Sequence, residues 1–351
     1  MSEREHEALA LIERVRARPP RFRDERVTMA HGAGGKASLS LVEGLVAPAL
    51  GIAELDDAAR VDGYALSTDS FVVKPIRFPG GSIGELAVNG TVNDLAVTGA
   101  RPLALTLSLV LEEGLAAEDL RAEVEAIARA AGAAGVAVVG GDTKVVERGR
   151  CDSMYVCTTG IGRVDDRAAL SPSSLRPGDR ILVSGSIGDH GGAIMLARGE
   201  FELGAPVESD TRSLWPAVDA LLDACGGSLR CLRDATRGGV ATVLNELARS
   251  SGVAIVVEEA RVPVQPAVVG ACEILGIDPM YVANEGKLVA FVAPEAADAA
   301  LAALRSVAGC DDAAAIGEVK ADPPGMVLVE TAFGGRRVMD MLVGDPLPRI
   351  C

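Results

Sequence analysis

The segment IGELAVNGTVNDLAVTGARPLALTLSLVL, residues 83–111, decides which fold the sequence predicts. Apolar residues recur at helical spacing over residues 83–98, and the sequence Gly-Ala-Arg-Pro at 99–102 then ends the helix. Residues 103–111 are mostly apolar, which is typical of a buried strand. A helix followed directly by a strand is the unit of a sheet covered by helices, so we expect an α+β fold.

Helices and strands alternate on both sides of this segment. In the first block we predict strands at 27–30, 61–68, 71–75, 103–111, 136–139 and 154–161, and helices at 39–50, 83–98 and 116–131. In the second block we predict strands at 180–184, 253–258 and 287–293, helices at 236–250 and 266–275, and a glycine-rich loop at 185–192. We expect each block to form a mixed sheet covered by helices.

The chain length of 351 residues fits two domains, because one domain usually has about 100–200 residues. The polar, turn-rich sequence SPSSLRPGD at 171–179 marks the predicted boundary. We therefore predict a charged N-terminal extension at 1–26, an N-terminal domain at 27–170, a C-terminal domain at 171–343 and an extended tail at 344–351.

The composition argues against several classes of protein. A net charge of −15 and an aromatic content of 3% are unfavourable for binding nucleic acid. The sequence has no apolar run of the about 18 residues that a membrane span needs, and its charged N-terminus does not resemble a secretory signal. Seven cysteines without a CxxC pair, and three histidines, argue against a zinc site or a disulfide framework, so we expect a cytoplasmic protein.

The chain ends in Cys351, which follows the sequence Pro-Leu-Pro-Arg-Ile at 346–350. Two prolines in three positions hold the backbone extended, and eight extended residues reach about 26 Å. A thiol on the last residue can enter a narrow site because no chain follows it. The tail is therefore a candidate carrier arm for a reactive sulfur, and the alternative is an ordinary frayed terminus.

A glycine-rich sequence, HGAGGK at 31–36, lies between a predicted strand and a predicted helix. The backbone N–H groups of such turns, here at Gly32, Gly34 and Gly35, can bind phosphate oxygens. The sequence is neither a Walker A motif nor GxGxxG, so nucleotide contact and a plain tight turn both stay open.

Four aspartates are predicted to lie in short turns beside strands or helices: Asp69, Asp94, Asp142 and Asp234. One such aspartate usually caps a helix or forms a turn, whereas four together could bind a hard cation such as Mg²⁺ and substrate phosphates. Lys144 could stabilise charge on a transferring phosphate, and Glu285 could accept a proton. The alternative for these last two residues is a pair of solvated loop side chains.

These sequences together resemble the ATP-dependent superfamily of aminoimidazole ribonucleotide synthetase, selenophosphate synthetase and thiamine monophosphate kinase. The shared motifs are ND at 93–94, GGD at 140–142, the loop at 185–192 and DATRGG at 234–239. Within the superfamily, residues 27–351 are similar to the HypE family of hydrogenase maturation proteins. That similarity rests on HGAGG at 31–35, STDS at 67–70, FPGG at 78–81, GDTKV at 141–145, GDHG at 188–191, ANEGK at 283–287 and the terminal PRIC at 348–351.

The resemblance implies a particular reaction and particular partners. A carbamoyltransferase, HypF, would place a carbamoyl group on Cys351, and ATP-dependent dehydration would convert the thiocarboxamide to a thiocyanate. The cyano group would then pass through the HypC–HypD complex towards the iron of nickel–iron hydrogenase. The resemblance also implies a two-domain fold similar to aminoimidazole ribonucleotide synthetase, and a homodimer in which the N-terminal sheets pack together near the nucleotide.

The resemblance also gives each candidate residue a role. Cys351 would carry the carbamoyl and cyano groups, Lys144 would stabilise charge, and Glu285 would act as the base. The residues expected to bind ATP are Asp69, Asp94, Asp142, Asn93, Gly32, Gly34 and Gly35. The residues expected to bind Mg²⁺ are Asp69, Asp94, Asp142 and Asp234. Apart from the resemblance, the position of His190 in a glycine-rich loop fits either contact with substrate or shaping of the turn, and we favour the turn.

Two other functions fit part of the sequence. An ATP-dependent small-molecule kinase or synthetase of the same superfamily would use the aspartates and have no need of Cys351. A carrier without enzymatic activity would use Cys351 and leave the aspartates without a function. Activity after deletion of the last residue distinguishes the first alternative, and Mg²⁺-dependent ATP binding distinguishes the second.

Overall fold

The computed structural model describes residues 20–199, 207–344, 347 and 349–351. Residues 1–19 of the predicted N-terminal extension, and the two prolines of the tail at 346 and 348, lie outside these residues. None of the helices in the described ranges is long and apolar enough to cross a membrane.

The first sheet has five strands within the described residues, in the order β1-β2-β7-β5-β6. Their bounds are β1 Ala59–Val61, β2 Tyr64–Phe71, β5 Ala100–Glu112, β6 Ala137–Val146 and β7 Met154–Val164. Neighbouring strands are antiparallel except for β5 and β6, which are parallel. A separate two-stranded ribbon consists of β3 Arg77–Phe78 and β4 Gly81–Ser82.

The second sheet has seven strands in the described ranges, in the order β14-β13-β10-β12-β8-β11-β9. Their bounds are β8 Arg180–Val183, β9 Leu229–Asp234, β10 Ala254–Glu258, β11 Leu288–Val292, β12 Ala314–Lys320, β13 Met326–Glu330 and β14 Arg336–Met339. This sheet is also mixed, because β10 and β13 run parallel while the other pairs are antiparallel. The predicted boundary at 171–179 falls between the two sheets.

Helices cover both sheets. Their bounds are α1 Lys36–Leu41, α2 Ala47–Leu50, α3 Ile83–Val97, α4 Ala117–Ala134, α5 Asp189–Ala197, α6 Trp215–Cys225, α7 Gly239–Ser251, α8 Pro266–Leu275 and α9 Ala297–Arg305. A π-helical segment, Val42–Val46, joins α1 to α2. In the first sheet, α3 and α4 pack on one face through an apolar cluster around Val88, Leu105 and Ile127. In the second, α7 covers one face, and α6 and α9 cover the other.

Helix α3 lies unusually close to the first sheet. Gly90 permits this approach, because a Cβ atom at that position would lie 2.7 Å from the ring of Phe71. Nearly every side chain of α3 is buried, including Asn93. The close packing brings Asp94 of the helix to Ser67 of β2, whose hydroxyl donates a hydrogen bond of 2.5 Å to the Asp94 carboxylate.

Several predicted elements are wrong in detail. The strand predicted at 27–30 does not form, and a 3₁₀ turn, Met29–Gly32, takes up its second half. The Thr28 backbone N–H donates a hydrogen bond of 2.9 Å to the His31 ring. Asp69 lies inside β2 and Asp94 inside α3, not in turns. The predicted loop at 185–192 includes the start of α5.

The strand predicted at 136–139 is longer than expected and extends through Asp142 and Lys144 to the end of β6. The sequence analysis took the two glycines before Asp142 as a turn. In the structure they continue the strand, because the β5 backbone comes so close that a Cβ atom at Gly141 would lie 1.9 Å from the Leu107 carbonyl oxygen. Glycine is required here by a neighbouring strand and not by a bend.

Candidate active site

A cavity of about 190 Å³ brings together side chains from both sheets and the end of the chain. Its lining residues are Asp57, Asp69, Ser70, Phe71, Gly90, Asp94, Asp234, Thr236, Arg237, Glu285 and Cys351. Five predicted site residues therefore meet in one place, namely Asp69, Asp94, Asp234, Glu285 and Cys351. Asp57 is a sixth acidic or nucleophilic group that the sequence analysis missed.

Three of the aspartates form a tight acidic cluster. One carboxylate oxygen each from Asp57, Asp94 and Asp234 lies within 4.8 Å of the others. Asp57 precedes β1 and is paired with Arg233, Asp94 is on α3, and Asp234 ends β9. The sequence signal for Asp57 was the adjacent pair Asp56-Asp57 just before an apolar strand, which is weak because such pairs are common on surfaces.

Burial and mutual repulsion make this cluster unfavourable when no cation is present. Burial raises the pKa of Asp57 to about 6, although the Arg233 guanidinium opposes that shift. Burial also raises the pKa of Asp94 and of Asp234 well above the usual range, with added repulsion from Asp69 and Asp57. Buried carboxylates of this kind need a positive partner or a proton.

Two oxygens of the cluster are available to a ligand. Oδ2 of Asp57 and Oδ2 of Asp234 are buried and have no hydrogen-bond partner among the described residues. Carboxylate oxygens without a hydrogen-bond partner, in a cluster of three aspartates, are the kind of donor that a hard divalent cation prefers. The three aspartates therefore fit Mg²⁺ on the chemistry of their donor atoms.

Glu285 approaches the cavity from the turn before β11. Asp210 fixes that turn, because its carboxylate accepts hydrogen bonds from the backbone N–H of Glu285 at 3.0 Å and of Gly286 at 3.3 Å. Lys287 neutralises Asp210 through a contact of 3.1 Å. Burial raises the pKa of Glu285 well above its usual range, and the charges of Asp210, Asp234 and Asp69 add to the shift. A raised pKa makes the ionised form of Glu285 a stronger base.

Asn93 and the glycine-rich loop lie next to the cavity but are not among its lining residues in the described chain. The Asn93 amide donates to the carbonyl oxygens of Arg212 and Glu285 and accepts from the Leu214 N–H group, which uses its bonding capacity within the protein. Its expected contact with ATP stays a prediction.

The glycine-rich loop packs against Arg237 and the chain just before the tail. Gly32 accepts a hydrogen bond of 3.0 Å from the Arg237 guanidinium. A Cβ atom at Gly34 would lie 2.7 Å from the Arg237 carbonyl oxygen, and one at Gly35 would lie 2.3 Å from that of Leu342. The need for glycine at positions 34 and 35 therefore comes from close backbone packing, and phosphate binding by this loop stays a prediction.

Asp142 and Lys144 lie away from the cavity in the described chain. Gly141 and Asp69 lie in one row of paired residues that crosses the sheet through Leu107 and Thr158. Three strand spacings separate them, so their Cα atoms are about 14 Å apart. Successive side chains alternate between the faces of a sheet, so Asp142 points to the face opposite Asp69. There it pairs with Lys144 at 2.5 Å, and this hydrogen bond lowers the pKa of Asp142.

The described residues of the tail, 347 and 349–351, lie against the first sheet and reach the cavity. Residues 349–351 run antiparallel to the residues after β2, with hydrogen bonds from the Val72 N–H to the Cys351 carbonyl oxygen at 3.1 Å and from the Lys74 N–H to that of Arg349 at 3.3 Å. Ile350 and Leu347 are buried in an apolar cluster with α5 and α8. An extended conformation for the whole tail stays a prediction. The negative charge of Cys351 raises the pKa of Arg237.

Comparison with known proteins identifies the family. Models of the AIR synthase related proteins match residues 55–164 with their N-terminal domain and residues 176–330 with their C-terminal domain. The predicted fold class, a two-domain α+β fold with mixed sheets like that of aminoimidazole ribonucleotide synthetase, is thereby confirmed.

Curated and solved relatives narrow the family further. Carbamoyl dehydratase HypE of Rhodobacter capsulatus is 48% identical over 339 residues, which cover 94% of this chain and 99% of that protein. The structure of a HypE–HypF complex has a TM-score of 0.83 and 45% identity and covers 86% of this chain and 100% of the other. A structure of hydrogenase maturation protein HypE in complex with ATP has a TM-score of 0.79 and 47% identity. It covers 93% of this chain and 100% of the other. The chain therefore belongs to the HypE family of carbamoyl dehydratases in hydrogenase maturation.

Proposed function

We propose that this protein dehydrates a thiocarboxamide on its own Cys351 to a thiocyanate at the expense of ATP. One observation supports this more than any other: the terminal cysteine lines the same small cavity as four aspartates and the buried Glu285. The position of Cys351 beside a candidate cation-binding cluster supports the proposal that the group on its sulfur is the substrate.

The acidic cluster would hold Mg²⁺ through Asp57, Asp94 and Asp234, with Asp69 beside them. Its free carboxylate oxygens and the raised pKa values of its members support this assignment. When bound, the cation supplies positive charge that neutralises ATP phosphates. ATP itself is inferred from the relative solved in complex with ATP.

Dehydration needs activation because the carbamoyl oxygen is a poor leaving group. In the proposed reaction this oxygen takes the γ-phosphoryl group of ATP, which leaves ADP, and one N–H proton departs as a C=N bond forms. The C–O bond then breaks, phosphate leaves with the former carbamoyl oxygen, and the second N–H proton departs as C≡N forms. The balance is thiocarboxamide and ATP giving thiocyanate, ADP and phosphate.

Glu285 would remove both protons in turn and pass them to phosphate or solvent. Its burial and its unbonded Oε1 atom, which has no partner within the described residues, support this role. The turn held by Asp210 fixes the carboxylate towards the cavity. General-base removal of a proton typically contributes about 10²–10⁴-fold in rate.

Asp142 and Lys144 would act from a second copy of the chain. Residues 137–145 of β6 are exposed, including Val139 and Val145, although β6 is an apolar edge strand in the described part of the chain. Proteins normally cover such an edge strand with another element or place charged side chains on it. A homodimer that covers this edge is the simplest arrangement that buries the strand and gives Asp142 and Lys144 access to ATP and the carbamoyl oxygen of the other copy.

Partners follow from the relatives and from the reaction. A relative has been solved as a HypE–HypF complex, so HypF is the proposed source of the carbamoyl group here. The HypC–HypD complex is the proposed acceptor of the cyano group. A cytoplasmic location is proposed with them, since a terminal thiol that must stay reduced needs a reducing compartment.

Intact mass spectrometry tests this function. The protein and a Cys351→Ala variant are incubated with carbamoyl phosphate, ATP, Mg²⁺ and the carbamoyltransferase. We expect a gain of about 43 Da followed by a loss of about 18 Da in the native protein and neither in the variant. If no adduct forms on Cys351 while the transferase is active, a small-molecule kinase or synthetase of the same superfamily becomes the better assignment.

A further inference from the structure

We propose that His190 is a positioning residue for the tail: its Nε2–H group binds the Ile350 carbonyl oxygen and thereby holds Cys351 at the cavity. This inference rests on the proposed function, because it concerns how the substrate-bearing residue is placed. From the sequence, His190 was expected to shape its turn, with contact to substrate as the alternative.

His190 is held from several sides. The ring is completely buried at the second residue of α5, and its Nε2 atom lies 2.8 Å from the Ile350 carbonyl oxygen. Its Nδ1 atom lies 2.8 Å from the Ser209 hydroxyl. The Phe78 ring packs edge-on against it with the ring centroids 5.4 Å apart. A ring fixed in this way has one orientation in which to meet the tail.

The hydrogen-bond partners determine the tautomer. A carbonyl oxygen can only accept, so Nε2 carries the proton that points to Ile350. Burial lowers the pKa of His190, which keeps the ring neutral and leaves Nδ1 as an acceptor. The Ser209 hydroxyl accepts from the Thr211 N–H at 3.2 Å and so donates its own proton to Nδ1. The chain of bonds runs in one direction, from Thr211 to Ile350.

The same short segment also fixes the proposed base. Ser209 orients His190, and the next residue, Asp210, accepts the backbone N–H groups of Glu285 and Gly286. Ser209 is in turn anchored by its N–H bond of 2.8 Å to the Pro79 carbonyl oxygen. Residues 209 and 210 therefore set the position of the carrier tail and of the base relative to each other.

The contacts to the tail do not depend on what the sulfur carries. Val72, Lys74, His190 and Arg198 all bind backbone carbonyl oxygens of residues 349–351. The Ile350 side chain enters the apolar cluster beside Gly191, where a Cβ atom would lie 3.3 Å from Ile350 Cδ1. A thiol, a thiocarboxamide and a thiocyanate can therefore be held in the same place, and the tail can still leave when these bonds break.

The test measures the two half-reactions separately, namely carbamoylation of Cys351 by the transferase and dehydration of the carbamoylated protein. It uses the variants His190→Leu and His190→Gln. Leucine removes the donor and leaves a buried carbonyl oxygen unpaired, whereas the glutamine amide N–H reaches the position of Nε2. Dehydration of the carbamoylated protein is followed in a single turnover by the loss of about 18 Da. We expect it to be about 10- to 100-fold slower in the leucine variant and within a few-fold of native in the glutamine variant. Carbamoylation by the transferase, which needs the tail released, should be unchanged or faster.

A second measurement and a second variant keep the inference testable. Alkylation of Cys351 by a maleimide, located by peptide mass mapping, should be faster in the leucine variant than in the native protein. Ser209→Ala, which removes only the orienting hydroxyl, should give a smaller effect of the same kind and serves if the leucine variant does not fold. Equal loss of both half-reactions, or native dehydration in a folded leucine variant, overturns the inference. If the native protein carries a carbamoyl group but never loses water, the proposed function fails instead, and the alkylation rates alone decide the role of His190.

Discussion

The acidic cluster and the edge strand β6 both carry aspartates, yet the two regions treat them in opposite ways. Asp94 and Asp234 are crowded with other carboxylates, and burial raises their pKa values. Asp142 on β6 is exposed, is already paired with Lys144, and has a lowered pKa. In the first region the carboxylates outnumber the nearby guanidinium groups of Arg233 and Arg237, whereas in the second region one carboxylate pairs with one ammonium group. Aspartates that look alike in the sequence therefore have different electrostatic surroundings in the fold, because their neighbours in space set their pKa values.

The variants Asp94→Asn and Asp142→Asn should show the largest difference between the acidic cluster and strand β6. Asp94→Asn should lower ATP turnover at least about 100-fold by weakening the cation site. It should also stabilise the metal-free protein by about 1–2 kcal/mol, because a buried repulsion is removed. Asp142→Asn should leave thermal stability unchanged. Thermal denaturation without Mg²⁺ and an ATPase assay measure the two effects, and a destabilised Asp94→Asn protein would contradict the account.

Mixed dimers test whether Asp142 acts from a second copy. If each site combines Asp94 of one chain with Asp142 of the other, Asp94→Asn and Asp142→Asn should each have low turnover alone. Mixing the two variants then restores one intact site in every heterodimer. Random pairing should then recover about one quarter of native turnover. The mixture must be unfolded and refolded together, with each variant alone as the control. No recovery, once heterodimers have been verified by mass spectrometry, would place both aspartates in the same chain's site or outside it.

Glu285→Gln tests whether the buried acid transfers protons and does not simply complete the acidic cluster. The amide keeps the size of the side chain but cannot accept a proton, so thiocyanate formation should fall by about 10²–10⁴-fold. ATP binding should be retained, because Glu285 is not among the three clustered oxygens. Calorimetry and intact mass measure the two properties. Normal product from this variant would remove Glu285 from the base role.

The exposed edge of β6 is tested with Val139→Lys. Val139 is 66% exposed, and a charge there should disrupt the proposed dimer and lower turnover by about 10-fold or more. Val124→Lys is the matched control, since Val124 is 44% exposed on α4. Light scattering gives the mass of each variant. A Val139→Lys protein with native mass and activity would mean that this edge is not the dimer surface.

A pH dependence of stability is expected from Asp57. The pKa of Asp57 is raised from 3.8 to about 6, so the folded protein binds this proton more tightly than the unfolded chain does. The resulting stability is complete below about pH 4 and is lost as the pH rises through 6, by at most about 3 kcal/mol. The Asp57→Asn variant should lack this pH-dependent part of the free energy of unfolding. Mg²⁺ should restore stability to the native protein above pH 6. Chemical denaturation at pH 4, 5, 6 and 7 measures the difference, and identical pH profiles for the two proteins would contradict it.

The sequence predicts much of the fold and part of the site. Helix α3, strand β5 and α4 follow from their apolar periodicity, and the motifs around Asp234, Glu285 and Cys351 predict residues that the cavity brings together. Asp57 was missed because its function depends on Arg233 and Asp234, which lie far away in sequence. The face on which Asp142 lies could not be predicted, because it depends on the register of β6 against β5. The role of His190 depends on a contact with the last residues of the chain, which no local pattern encodes.

The most direct test of the proposed chemistry follows the carbamoyl oxygen. The protein is carbamoylated with carbamoyl phosphate whose carbonyl oxygen is isotopically heavy, and ATP and Mg²⁺ are then added for a single turnover. The account predicts that the heavy oxygen appears in inorganic phosphate in step with thiocyanate on Cys351. Heavy oxygen released as water, with unlabelled phosphate, would contradict phosphorylation of the carbamoyl oxygen.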